Sequence, residues 1–98
     1  MKPLLLTAVM ALAQPPEEQA AALGEMSVDE LALDLDAQPW HDEPEPLRAA
    51  LNQLEALLDS MSGPGNAHLW ALAALHGPEW QAVRQAARRA LAVDTASR

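Results

Sequence analysis

The chain has 98 residues, a formal net charge of −8 at pH 7 and no cysteine, which excludes disulfides, thiolate catalysis and cysteine-ligated zinc. Hydrophobic residues make up 50% of the chain, and most of them are Leu and Ala, which favour helices over strands. The composition therefore predicts one mainly α-helical domain over residues 1–98, a small bundle of about five helices.

The charge is unevenly distributed along the chain. Residues 1–60 contain twelve acidic residues but only Lys2 and Arg48 as bases, a net charge of −10, whereas residues 61–98 carry +2. Because phosphate backbones are bound by clustered Lys and Arg, most of this surface is expected to repel nucleic acid. We expect either a solvated acidic surface or an acidic face that binds a basic partner.

The first predicted helix covers residues 3–13 and has two interpretations. Lys2, the apolar run and a small-residue site ending at Ala13 are typical of a signal peptide, which would make this a small secreted protein cleaved after Ala13. The run is short for a leader and too short to span a bilayer, so no membrane partner is predicted. We favour a buried first helix in a cytoplasmic protein. The side chains expected to face its core are Leu5, Val9 and Leu12.

Two further helices are predicted before the middle of the chain. Gln14-Pro15-Pro16 ends the first helix, and the second is expected over residues 16–23. Ser27 and Glu30 have the spacing of a capping box, which predicts a third helix over residues 28–36.

Residues 37–45 are rich in proline and acid and are predicted to form a loop. Trp40 lies in this loop, where a large aromatic side chain either caps the core or binds a partner. We favour capping but keep Trp40 as a candidate partner-binding residue. The acidic candidates of the same loop are Asp42, Glu43 and Glu45.

The clearest pattern lies in residues 46–61, where large apolar residues alternate at steps of four and three, as on one face of a helix. Pro46 suits the first turn, and Gly63-Pro64-Gly65-Asn66 ends the helix. The stripe is too short for a coiled coil and is expected to form the core of the domain. Its members are Leu47, Leu51, Leu54, Leu58 and Met61.

The last helix is predicted to begin at Gly77-Pro78 and to fray over residues 94–98. Its buried face is expected to contain Trp80, Val83 and Leu91. The side chains of Arg84 and Arg88 are expected to point away from the core. Three arginines form its candidate surface for a homodimer or an acidic partner: Arg84, Arg88 and Arg89.

The order of elements over residues 3–76 resembles the winged helix-turn-helix family, chiefly through residues 27–32 and 47–55. The resemblance implies a recognition helix at residues 46–60 and a wing, a short β-hairpin, near residues 57–72. It also implies a regulator or adaptor.

Residues 67–92 are similar to one HEAT-type helical hairpin, which implies helix instead of strand for residues 69–75. A single such unit cannot form a solenoid. We favour the winged-helix interpretation because it accounts for more of the chain, although both structures remain open for residues 57–75.

No catalytic, phosphate-binding or metal-binding motif is present in the sequence. His41-Asp42-Glu43 offers possible ligands, but His68 and His76 are eight positions apart and so do not share a helical face at ligand spacing. Asp34 and Asp36 have no evident nucleophile near them. We therefore predict no enzymatic activity, no cofactor and no bound metal.

The predicted function is a non-enzymatic acidic protein–protein interaction module, a regulator or adaptor that binds a basic partner. The main alternative is a dimeric DNA-binding transcriptional regulator in which the three arginines of the last helix contact phosphates. That alternative requires those arginines to share a surface with Arg48, Asn52 and Gln53.

Overall fold

The computed structural model describes residues 1–97, and within them the chain is helical and contains no strand. The helices are α1 (Pro3–Ala13), α2 (Pro16–Leu23), α3 (Asp29–Asp36), α4 (Leu47–Ser60) and α5 (Pro78–Ala96), with two short 3₁₀ helices at Ala67–Trp70 and Leu72–His76. The mainly helical class predicted from composition is confirmed.

Helix α5 lies at the centre of the packing, against α1 on one side and α4 on the other. Trp80 and Val83 are buried as predicted, while Leu91 is only half-buried. Ala87 and Ala90 are also fully buried on this helix, and their small side chains let the neighbouring helices approach closely. The long last helix is therefore the element on which the others pack.

Helix α4 supplies the apolar face that its sequence predicts. Leu47, Leu51, Leu54, Leu58 and Met61 are all buried. Each leucine contributes about 1.5–3 kcal/mol when it is removed from water. Because this face is covered by α5, the four-and-three stripe forms part of the core of the domain.

The predicted β-hairpin near residues 57–72 is wrong. Helix α4 continues to Ser60, a turn containing Gly63 at φ +110° follows, and the chain then forms the two 3₁₀ helices. The Trp70 indole donates a hydrogen bond to the Met61 carbonyl (2.8 Å) and that of Trp80 donates to Leu69 (2.7 Å), which fixes this compact path. The turn forms where its signal predicts it, but the Ala- and Leu-rich segment that follows is helical because these residues favour helix over strand.

Two predicted boundaries are also corrected. Helix α3 begins at Asp29, whose amide donates to the Ser27 hydroxyl (3.2 Å). Helix α5 continues to Ala96, so residues 94–96 are helical where a frayed tail was predicted, and Asp94 is buried and accepts a hydrogen bond from the Met1 amino group (2.7 Å). Arg98, the end of the predicted tail, lies outside the described residues.

Helix α1 packs against both α5 and α3, and its predicted inward residues Leu5, Val9 and Leu12 are fully buried. The helix is part of the core. Among residues 1–97, no helix combines the length and the hydropathy needed to cross a membrane.

Candidate functional site

Trp40, the aromatic candidate of the acidic loop, is only 3% exposed. Its ring lies 4.2 Å from that of His41, and its apolar body is part of the core cluster. This position agrees with the favoured capping role and leaves little of the indole for a partner to contact.

The acidic candidates of the same loop bind other parts of the chain. Asp42 forms an exposed ion pair with Lys2 (2.9 Å), and this hydrogen bond lowers the pKa of Asp42 and raises that of Lys2. Glu43 accepts a long hydrogen bond from the Lys2 amide (3.4 Å), and Glu45 pairs with Arg48 (3.0 Å). These groups connect the loop to Lys2, the residue before α1, and to Arg48 of α4.

The C-terminal end of α1 requires side-chain hydrogen-bond donors. The last four carbonyls of a helix lack partners within it, and Pro15 and Pro16 have no N–H with which to bind them. Gln14 donates to Met10 (3.2 Å), Gln19 donates to Ala11 (3.2 Å) and Leu12 (3.1 Å), and Arg88 donates to Ala13 (3.0 Å). All four carbonyls are bound. We call Gln14, Gln19, Arg84 and Arg88 the capping network.

Arg84 joins the capping network from α5 and is 3% exposed, which corrects the prediction that its side chain points away from the core. Its guanidinium donates to the amide oxygens of Gln19 (3.1 Å) and Gln81 (3.4 Å), and no carboxylate of residues 1–97 forms an ion pair with it. Burial, with a smaller contribution from Arg88, lowers the pKa of Arg84, and Glu17 acts in the opposite direction.

Of the three candidate arginines of α5, Arg84 is withdrawn from the surface, while Arg88 and Arg89 are exposed. Arg84 is buried, and Arg88 is bound to the end of α1. Arg48, which belongs to the predicted DNA surface on α4, donates to Glu45 and to the His41 carbonyl (3.3 Å).

A groove beside α3 offers an accessible site that the sequence analysis did not identify. Its volume is about 320 Å³. Leu33 is 53% exposed there, and Trp70 is half-buried. We call this the α3 groove, and it is lined by Asp29, Ala32, Leu33, Asp36, Ser62, Gly63 and Trp70.

The surface of α3 is strongly acidic. Four of its eight residues are acidic and none is basic. Within residues 1–97 the ion pairs join Met1 to Asp94, Lys2 to Asp42 and Arg48 to Glu45, so none of them neutralises α3. The α3 groove thus combines an apolar lining with the carboxylates of Asp29 and Asp36. No group of three His, Cys, Asp or Glu suited to a metal ion occurs in the described residues.

A sequence signal for the exposed leucine does exist. Leu31 and Leu35 are four positions apart and share the buried face of α3. Leu33 lies two positions from each of them, about 200° around the helix, and must therefore face outward. Trp70 has no such signal, because its place beside α3 depends on the path of residues 61–70.

On the opposite side of α3 lies a smaller groove of about 240 Å³, which includes the exposed Leu4 and Asp34. Helix α3 is therefore a ridge between two grooves. The α3 groove is the better candidate site, because it alone of these two has an aromatic wall and two carboxylates.

The chain matches no family model, no curated protein and no solved structure. The winged-helix and HEAT-type resemblances stay predictions.

Proposed function

We propose that this chain is a non-enzymatic interaction module, a regulator or adaptor, and that its α3 groove binds a basic, partly apolar segment of a partner protein. The observation that carries the proposal is that one groove is lined by the exposed Leu33, by Trp70 and by the carboxylates of Asp29 and Asp36, which form no ion pair within residues 1–97.

The apolar part of the groove supplies affinity. Leu33 is 53% exposed although it is a large apolar residue, and a partner that covers it gains about 25 cal/mol for each Å² of apolar surface removed from water. The indole N–H of Trp70 is already bound to Met61, so its accessible ring acts as an apolar wall. Aromatic side chains of this kind are frequent centres of binding energy.

The negative charge of the chain favours basic partners and increases their association rate. The net charge of −10 over residues 1–60 attracts basic partners over distances of about a Debye length, roughly 10 Å at 0.1 M salt, and repels acidic ones. Exposed charge pairs at the rim of an interface mainly increase the association rate and make it dependent on salt. A basic segment is therefore favoured over a neutral or acidic one.

The test is a fluorescence titration of the full chain with three synthetic peptides, one basic and apolar, one basic and otherwise polar, and one acidic and apolar. We expect binding of the basic apolar peptide alone, with affinity that falls as salt is added. Binding of the acidic peptide with equal affinity, or failure of the basic apolar peptide to bind, would contradict the proposal.

A matched pair of variants locates the binding. Asp29→Asn/Asp36→Asn removes both carboxylates of the groove, whereas Asp34→Asn/Asp59→Asn removes the same charge from exposed positions outside it. We expect the first double variant to weaken binding about tenfold and the second to change it about twofold or less. Equal effects would show that only net charge matters.

A further inference from the structure

The spacing of the acidic residues on α3 restricts the shape of the segment that the groove accepts. This inference rests on the proposed function and deepens it. We infer that the occupant of the α3 groove is an α-helix with two basic residues seven positions apart and apolar residues between them.

The distance between the acidic positions sets the first requirement. Asp29 and Asp36 are the first and last residues of α3 and lie seven positions apart. At 1.5 Å per residue they are about 10.5 Å apart along the helix axis, and about 20° apart around it. Two basic residues on a partner must therefore share one face and be separated by about the same distance.

A partner helix meets this requirement and an extended strand does not. Basic residues seven positions apart on a helix have the same separation of about 10.5 Å and the same 20° offset. On a strand, residues of one face are separated by about 6.6 or 13 Å, while residues about 10 Å apart point to opposite faces. The geometry of α3 thus selects helical periodicity.

The lining between the carboxylates sets the second requirement. Leu33 lies midway between Asp29 and Asp36, four positions after the first and three before the second. A helix that places its basic residues opposite the two carboxylates presents its third and fourth intervening positions to Leu33 and Trp70. Those positions must be apolar, because a polar side chain covered there would lose water without gaining a partner.

The small side chains of the groove allow a helix to approach. Ala32, Ser62 and Gly63 line it together with Leu33, and packed helices approach to interaxial distances of 8–10 Å only where the contacting side chains permit it. A Cβ atom added at Gly63 would meet no atom within 4 Å, so the space beside this wall is open.

The experiment compares three synthetic peptides of identical composition, each titrated against the full chain. In the first, two Lys are seven positions apart with Leu at the third and fourth positions between them, in an Ala-rich background that favours a helix. In the second, the two Lys are five positions apart and point about 140° away from each other. In the third, Lys and Leu alternate as in a strand.

We expect the first peptide to bind about tenfold more tightly than the other two, to gain helical circular dichroism on binding, and to lose this advantage against Asp29→Asn/Asp36→Asn. Equal affinity of all three peptides, each weakened by that double variant, would overturn the helical inference and leave the proposed function standing. Absence of binding by all three, or binding indifferent to the double variant, would overturn the proposed function as well.

Discussion

The capping network and the α3 groove both contain polar side chains on helices, but their surroundings differ. Gln19 and Arg84 are almost completely buried, and within residues 1–97 every buried side-chain nitrogen or oxygen has a hydrogen-bond partner. Asp29 and Asp36 are exposed and form no ion pair with any other residue of 1–97. Unpaired buried groups destabilise a fold, whereas water solvates unpaired exposed ones. The first region therefore serves stability, and the second remains available for binding.

The origin of the capping network is local, although its members are distant in sequence. Two consecutive prolines after α1 remove the backbone donors that would normally bind the last carbonyls of the helix. Side chains from α2 and α5 replace them, so α1, α2 and α5 are joined by hydrogen bonds as well as by apolar contacts.

The largest predicted effect breaks the capping network at its centre. Gln19→Met keeps the approximate size of the side chain but leaves the carbonyls of Ala11 and Leu12 without their donor. It also reduces the acceptors of the Arg84 guanidinium to the longer bond with Gln81. We expect the free energy of unfolding to fall by about 3 kcal/mol or more, measured by urea denaturation. Gln14→Met, at a half-buried site whose hydrogen bond to Met10 is open to water, should change it by about 0.5 kcal/mol or less. Similar losses for both variants would contradict the role of Gln19.

The second prediction separates the charge of the network from its hydrogen bonds. Arg84→Met leaves the Gln19 amide oxygen without a donor but also removes a buried charge that forms no direct ion pair with a carboxylate of residues 1–97. Because these effects oppose each other, we expect a loss of about 1 kcal/mol in urea denaturation, smaller than that of Gln19→Met. Arg89→Met is the exposed control. A loss larger than that of Gln19→Met would mean that the cation itself stabilises the fold.

The third prediction concerns α3, where binding and stability are expected to separate. Asp36 is at the C-terminal end of the helix, where a negative charge opposes the helix dipole, and Asp29 is in the favourable first turn. We expect Asp36→Asn to raise the free energy of unfolding by about 0.3 kcal/mol and Asp29→Asn to lower it by about the same amount. Both should weaken binding of the basic apolar peptide. Opposite effects on binding would exclude a shared role in the groove.

The smallest effect is a pH dependence of the exposed Lys2–Asp42 pair. Because the pKa of Asp42 is lowered in the folded chain, Asp42 stabilises the fold at pH values above its ordinary pKa of 3.8. This stabilisation is lost as the pH falls through the folded pKa. Because the pKa of Lys2 is raised, Lys2 stabilises the fold at pH values below its ordinary pKa of 10.5. This stabilisation is lost as the pH rises through the folded pKa. Asp42→Asn should therefore be slightly less stable than the parent chain at neutral pH, and the difference should shrink as the pH falls below 3.8 and through the folded pKa of Asp42. The difference in stability is measured by thermal unfolding across this pH range. If it stays constant, the effect of the substitution does not come from charge.

Much of the helical architecture follows from the sequence because its signals are local. Prolines mark the starts of α1, α2 and α5, and a glycine marks the end of α2. The stripe from Leu47 to Met61 identifies the buried face of α4. These signals involve residues within a few positions of each other, so they act before any tertiary contact forms.

Only the tertiary structure determines which polar side chains are buried and where the α3 groove lies. Arg84 and Gln19 are 65 positions apart, and no local pattern shows that one arginine of α5 turns inward to a glutamine of α2 while its neighbours remain exposed. Trp70 lies beside α3 because residues 67–76, part of which was expected to form a hairpin, form two 3₁₀ helices instead. Hydrogen bonds from the indoles of Trp70 and Trp80 hold them in place. Local propensity sets where helices begin and end, but burial and hydrogen-bond satisfaction depend on which helices meet, and only the packed chain determines that.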